Sequence, residues 1–260
     1  MSVKPKKHLG QHFLKDESVS KRIAEQLDSF DNFSKVLEVG PGMGALTKFL
    51  LEKESFDTHV VEVDVESVDY LNENYPPLRG KIYSTDFLKE DLTTLMGSEP
   101  FAVFGNFPYN ISSQILFKVL DYKDQVPVIV GMFQKEVAER VSEGPGTKKY
   151  GVISVLLQAY YDVDYLFTVE KDVFIPPPKV QSGVIRLVRN NVKKLDCDEK
   201  LFKSVVKSAF NLRRKTLRNS LKALINESEN DIDTTQDIFN ERPEQLSIEQ
   251  FIWLTKQLSV

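Results

Sequence analysis

The chain has 260 residues, 41% hydrophobic and 28% charged, an ordinary globular composition with length for one large domain and one small one. A single cysteine, Cys197, excludes an internal disulfide, and His8, His12 and His59 lack metal-ligand spacing, so no metal is expected. No apolar run reaches the roughly 18 residues of a membrane span, the basic N-terminus has no apolar signal core, and the net charge of -4 argues against a general nucleic-acid coat. A cytoplasmic protein is expected, with no membrane contact.

In chain order, KVLEVG (35–40), DTHVVEV (57–63), KIYS (81–84), PFAVFG (100–105) and VPVIVGMF (126–133) read as buried strands. Amphipathic segments between them (ALTKFLLEK, VESVDYLNEN, SSQILFKVLD) read as helices, and the alternation predicts a doubly wound, mostly parallel α/β sheet. Two further strands near 163–169 and 182–188, separated by Pro176, Pro177 and Pro178, predict an antiparallel edge. RNNVKKLDCDEK reads as a linker, and everything after it as helical. The domain boundary is therefore placed near residue 190, giving 1–190 and 191–260.

The first strand ends in Gly40-Pro41-Gly42-Met43-Gly44 before a helix begins. Glycines there let backbone turn tightly against a ligand that side chains would block. Dinucleotide enzymes use similar loops, but this spacing is G-x-G-x-G, with Glu38 two residues ahead. The second strand delivers Glu62 at its carboxyl end, where a carboxylate can accept both ribose hydroxyls of an adenosine. STDF then places Asp86 after a third strand, where it can accept an adenine amine. These three elements resemble the first three motifs of class I S-adenosylmethionine methyltransferases.

The fourth strand runs into Asn106-Phe107-Pro108-Tyr109, which departs from nicotinamide-enzyme chemistry. An exocyclic adenine amine is a poor nucleophile, because its lone pair is delocalised into the ring. The Asn106 oxygen and a backbone carbonyl of the Phe107–Pro108 turn can accept its two hydrogens and aim that lone pair at a methyl group. Pro108 stiffens the turn and removes a competing donor, and Tyr109 can stack on the base. The proton becomes acidic once the amine is alkylated, so positioning and electrostatics suffice without a strong base.

With GQHFL (10–14), EVGPGMG, VVEVD, TDF, NFPYN, FQKEVAERV and FIPPPKVQSGVIRL, the chain resembles the small-subunit ribosomal RNA adenine dimethyltransferases over nearly its whole length. That resemblance implies a class I, Rossmann-like methyltransferase domain with a mostly parallel seven-stranded sheet, and a small all-α RNA-binding C-terminal domain. It implies S-adenosylmethionine as cofactor and two adjacent adenosines in the 3′-terminal hairpin of small-subunit RNA as substrate, within the pre-30S particle. It also implies that His12 and Leu14 border the cofactor, Gly40 lies under its methionine part, Glu62 holds the ribose, Asp86 the adenine, and Asn106 stands by the reactive methyl. Phe174 would stack on the target base opposite Tyr109. The family usually has Asn at the place of His12 and Leu at that of Phe107. A monomer is expected. Three alternatives differ in substrate or in turnover: a large-subunit adenine methyltransferase of the antibiotic-resistance type, a DNA adenine methyltransferase, and a non-catalytic RNA-binding assembly factor.

Charge is segregated near the C-terminus. Lys203, Lys207, Arg213, Arg214, Lys215, Arg218 and Lys222 occur between residues 201 and 222 without an acid, while 227–249 holds eight acids and one base. As one helix, Lys203, Lys207, Arg214, Arg218 and Lys222 would share a face and Val206, Phe210, Leu217 and Leu221 an apolar stripe, unless Asn211 ends it. That face is expected to hold RNA phosphates, with the Lys4–Lys7 arm as the other candidate.

Overall fold

A computed structural model gives the fold and describes residues 3–6 and 9–259; Lys7 of the basic arm and His8 lie outside them. Its strands are β1 (Phe13–Leu14), β2 (Lys35–Val39), β3 (Asp57–Glu62), β4 (Ile82–Ser84), β5 (Phe101–Asn106), β6 (Val128–Gln134), β7 (Tyr161–Val169), β8 (Phe174–Ile175) and β9 (Ser182–Arg189). The helices are α1 (Glu17–Ala24), α2 (Thr47–Leu51), α3 (Val65–Asn74), α4 (Leu92–Met96), α5 (Ser112–Asp121), α6 (Lys135–Ser142), α7 (Val152–Gln158), α8 (Glu199–Asn211), α9 (Leu217–Ser220), α10 (Lys222–Glu227) and α11 (Ile248–Leu258). Among the described residues, no helix is long and apolar enough to cross a membrane.

Seven strands form one sheet in the order β4-β3-β2-β5-β6-β9-β7. The first five run parallel, and β9 lies antiparallel to β6 from Val128↔Val188 to Gln134↔Ser182. Phe101, Ala102, Val103 and Phe104 of β5 are all 0% exposed, as a central parallel strand covered on both faces requires. The chain leaves β2 outward to β3 and β4, then returns to lay β5 on the other side of β2. Connections from β2 and β5 therefore diverge and leave a crevice at the strands' carboxyl ends. A separate ribbon pairs β1 antiparallel to β8, with Phe13 opposite Ile175 and Leu14 opposite Phe174.

Two compact units divide the chain: Met1–Ala138 with Val163–Arg189, and Glu139–Asp162 with Asn190–Val260. A single division near residue 190 differs from this in one segment, 139–162. The reason is the burial of α7: Ile153, Val155, Leu156 and Leu157 are buried, α7 packs on α8, and Tyr150 meets Phe210 edge-on at 6.2 Å. A helix followed by a strand reads locally as part of an α/β layer, and only its packing partner reveals otherwise.

In the second unit the basic stretch is not one helix. Helix α8 ends at Asn211, a turn closes with Lys215 N–H donating to the Leu212 carbonyl at 2.7 Å, and α9 and α10 follow. Arg213 donates to the Thr147 carbonyl at 3.1 Å. Arg218 donates to the Thr234 carbonyl at 2.8 Å and to Asn240 at 3.2 Å. These two arginines hold loops of their own unit, while Lys207, Arg214, Lys215 and Lys222 are exposed.

Candidate active site

The carboxyl ends of β2, β3 and β5 open into a cavity of about 330 Å³, within the usual size of a small-molecule site. The glycine turn forms its floor, Glu38 and Glu62 one wall, residues 106–109 another, and residues 9–15 also line it. Gly42 has φ +54° and a Cβ there would lie 2.8 Å from the Phe13 ring; Gly44 has φ +81° and a Cβ would lie 2.6 Å from Tyr75. Both positions need glycine for backbone conformation and for room. Tyr75 Oη in turn donates to the Met43 and Gly44 carbonyls, each at 3.2 Å.

Glu62 is 5% exposed and ties the turn to its strand. Gly42 N–H donates to Oε2 at 3.1 Å, and Val63 and Asp64 N–H groups donate to Oε1 at 2.9 Å. Burial raises its pKa, against the pull of those three donors. Glu38, 1% exposed, accepts from Thr47 Oγ1 at 2.6 Å. Burial, only partly opposed by that bond and reinforced by the Glu62 charge, pushes its carboxyl up to about 8. Both acids are thus pushed towards the protonated form by burial, and Glu62 is the one held by three main-chain donors.

Gly40 lies at the bend, its N–H donating to the Val61 carbonyl at 2.9 Å. Leu14 lines the cavity and is 6% exposed. Asp86 is not among the lining residues. It accepts from Leu88 N–H at 3.0 Å and lies 3.6 Å from Lys89 Nζ, two residues beyond Ser84, the register partner of Glu62.

Asn106 ends β5, and Phe107 N–H continues the ladder to the Met132 carbonyl at 3.1 Å. The Phe107 ring fills the space over Gly131, where a Cβ would come within 2.0 Å, and packs on Phe133 at 4.8 Å. Gly131 thus makes room for the larger residue at this position. Pro108 carbonyl accepts from Ile111 N–H at 3.2 Å, which leaves the Phe107 carbonyl as the turn's candidate acceptor. Asn106 Nδ2 donates to the His12 carbonyl at 3.1 Å. A carbonyl can only accept, so the nitrogen end of the amide faces residue 12 and Oδ1 is the end left for a substrate.

The His12 ring stacks on Tyr109 at 5.3 Å and 29°, and its Nδ1 donates to the Pro176 carbonyl at 2.8 Å. Tyr109 Oη is hydrogen-bonded to Ser182 Oγ; burial raises the phenol's pKa and that bond opposes the rise. Phe174 does not join this group. It is 1% exposed and packs in the core with Leu14, because the alternation of β8 turns it inward and leaves Ile175 outward at 55% exposure. The expectation that Phe174 stacks on a base meets a side chain that lies in the core here rather than in the cavity lining. Sequence reasoning missed Gln11 and Tyr75, which line the cavity, and Lys6 and Asp64, which bind Gln11 beside it. Gln11 and Asp64 sit inside the GQHFL and VVEVD segments, but no spacing pairs residues so far apart in the chain.

The family model for ribosomal RNA adenine dimethylase matches residues 2–259. The chain belongs to this family. Ribosomal RNA small subunit methyltransferase A of Parabacteroides distasonis is 62% identical over 253 residues, covering 97% of this chain and 93% of that protein. The protein of the same name from Flavobacterium johnsoniae is 57% identical, covering 98% and 96%. Among solved structures, a dimethyladenosine transferase from Plasmodium falciparum superposes with TM-score 0.76 at 23% identity, covering 94% of this chain and 96% of that one. The 23S rRNA methyltransferase ErmE superposes with TM-score 0.67 at 24% identity, covering 94% and 100%. These two establish the class I methyltransferase fold, and the cavity of this adenine dimethylase family member lies at its topological switch point.

Proposed function

We propose that the chain transfers methyl groups from S-adenosylmethionine to N6 of two adjacent adenosines in the 3′-terminal hairpin of small-subunit ribosomal RNA. The observation that carries this reading is the Asn106 amide, whose nitrogen is held by the His12 carbonyl so that its oxygen faces the substrate side. The names of the close relatives support small-subunit ribosomal RNA as the substrate class. The protein acts in the cytoplasm as a monomer, on small-subunit RNA in the pre-30S particle. The first unit, 1–138 with 163–189, supplies the methyltransferase part, and the helical region after residue 190 the RNA-binding part.

The cavity fits the cofactor: a glycine floor that no side chain could line, a ribose-height carboxylate at Glu62, and a volume for one small ligand. Glu62 would take the ribose hydroxyls, and Gly40, the His12 backbone and Leu14 would hold the methionine part. Asp86, one strand beyond Glu62 and outside the residues that line the cavity, would take the adenine amine. Bound there, the sulfonium supplies an electrophilic methyl. Asn106 Oδ1 and the Phe107 carbonyl accept the two N6 hydrogens and hold the amine lone pair on the line of attack. Pro108 keeps the two acceptors at a fixed angle, and Tyr109, anchored by Ser182, offers a ring for the base to stack on. As the N6–methyl bond forms, the sulfur–methyl bond would break with S-adenosylhomocysteine as the leaving group, and the alkylated amine, now acidic, loses its proton to water.

Incubation with labelled cofactor and undermethylated small ribosomal subunits, followed by nucleoside mapping, tests the reading. Label as dimethyladenosine at two neighbouring positions near the RNA 3′ end is expected. Label on large-subunit RNA or DNA instead, or cofactor binding without transfer, would overturn it.

A further inference from the structure

Asp64 follows Glu62 by two residues and is not among the residues that line the cavity. It is 3% exposed, and its carboxylate gathers three donors, two from the distant N-terminal segment and one from α3 beside it. Lys6 Nζ forms an ion pair with Oδ1; Gln11 Nε2 donates to Oδ2 at 3.1 Å and Ser67 Oγ at 3.0 Å. Lys6 N–H also donates to Gln11 Oε1 at 2.8 Å, so Lys6 and Gln11 bind each other as well as Asp64. Burial works against this carboxylate, yet its donors outweigh burial and hold the pKa below the ordinary range.

Residues 9–15, which begin beside this cluster, line the cavity. Phe13 presses on Gly42, Lys15 N–H donates to the Val173 carbonyl at 2.9 Å, and the His12 carbonyl receives Asn106 Nδ2 at 3.1 Å. One short segment therefore covers the cavity and sets which end of the Asn106 amide meets the substrate. Asp64 stands at the junction. Its main-chain N–H holds Glu62 at 2.9 Å, and its side chain holds the segment.

We propose that Asp64, with Lys6 and Gln11, is a positioning latch: it fastens residues 9–15 over the cofactor cavity and, through the His12 carbonyl, holds Asn106 in its acceptor orientation. The proposal rests on the cavity being the cofactor site. A ligand in the cavity leaves after the latch opens, and with the latch open the Asn106 amide loses the partner that orients it.

The test follows release of S-adenosylhomocysteine by stopped flow and, separately, single-turnover methylation of undermethylated small subunits at saturating cofactor. Asp64→Asn and Lys6→Ala are each expected to speed release about tenfold, a typical coupling between two sites, and to slow the single-turnover step. The double variant should be no worse than the more affected single one, since both break one device. Lys6→Arg should restore slow release. Gln11→Ala reaches the same carboxylate with little burden on folding, and should move both rates in the same direction. A residue that merely stabilises the fold would lower Tm and leave both rates native at temperatures where the variants are folded; that result overturns the proposal, as does additivity in the double variant. Failure of the native protein to bind S-adenosylhomocysteine would instead remove the cofactor reading, and the latch with it.

Discussion

Two acids share one wall, and burial raises the pKa of both. Burial raises the folded pKa of Glu38 from 4.5 to about 8, helped by the Glu62 charge and only partly opposed by its single hydroxyl donor. At the acid end both folded and unfolded chains carry the proton, and Glu38 costs nothing. Above the unfolded value only the unfolded chain ionises freely, so stability falls as pH rises through this window and levels off near the folded value. Glu38→Gln, neutral and nearly isosteric, should therefore melt about 5 °C or more above the native protein at about pH 8, with the gap closing towards pH 4.5. Equal gaps at both ends, read by thermal melts, would show an ionised Glu38. Glu62 is held by three N–H donors, and Glu62→Ala should weaken S-adenosylmethionine binding about 10–100-fold by calorimetry, the worth of one or two charge-assisted bonds. Unchanged affinity would reduce it to a staple for the glycine turn. Asn106→Ala should cut single-turnover methylation about 100–1000-fold, as for loss of a group aimed at the transition state. Its RNA affinity should stay native, and near-native rates would sink its assignment.

At the scale of elements, the basic stretch shows how tertiary contacts divide like residues between two jobs. Arg218 bridges Thr234 and Asn240, so Arg218→Ala belongs to stability and should cost about 1 kcal/mol in denaturant melts, the net worth of such bonds at an exposed site. Lys207, Arg214 and Lys215 are exposed and suit phosphates. Replacing all three with Ala should flatten the slope of log affinity against log salt by roughly three units, about one per lost contact, for binding to undermethylated small subunits. Cofactor affinity should not change. Coincident slopes would move the RNA anchor elsewhere, the N-terminal arm being next in line. The same scale explains Phe174. The FIPPPKV segment reads as a proline-rich turn, but pairing of β8 with β1 decides which of its first two side chains enters the core.

At the scale of the whole molecule, the chain passes between its two units three times, at residues 138–139, 162–163 and 189–190. Removal of 191–260 would strip α8 from α7, whose Val155 and Leu157 are 0% exposed in the intact protein. A chain ending at residue 190 should bind a hydrophobic dye and lose hydrogen-exchange protection across Val152–Gln158. Native protection there would mean that 139–162 folds with the first unit.

The cofactor half of the site was legible because it is local. A buried strand, a glycine turn and an acid at the next strand's end are each written in consecutive residues, and parallel α/β topology then brings strand ends together without further information. Asn106, Pro108 and Tyr109 could be read for the same reason: one turn holds them all. What tertiary structure decided were the long-range pairings and the burial they create. Lys6 and Gln11 meet Asp64 more than 50 residues away, and Asn106 meets His12 across 94. Glu38 acquires its raised pKa only when the sheet closes around it. Periodicity and spacing encode which face of an element is apolar; they do not encode which distant polar group that face will find, because that depends on how the chain returns.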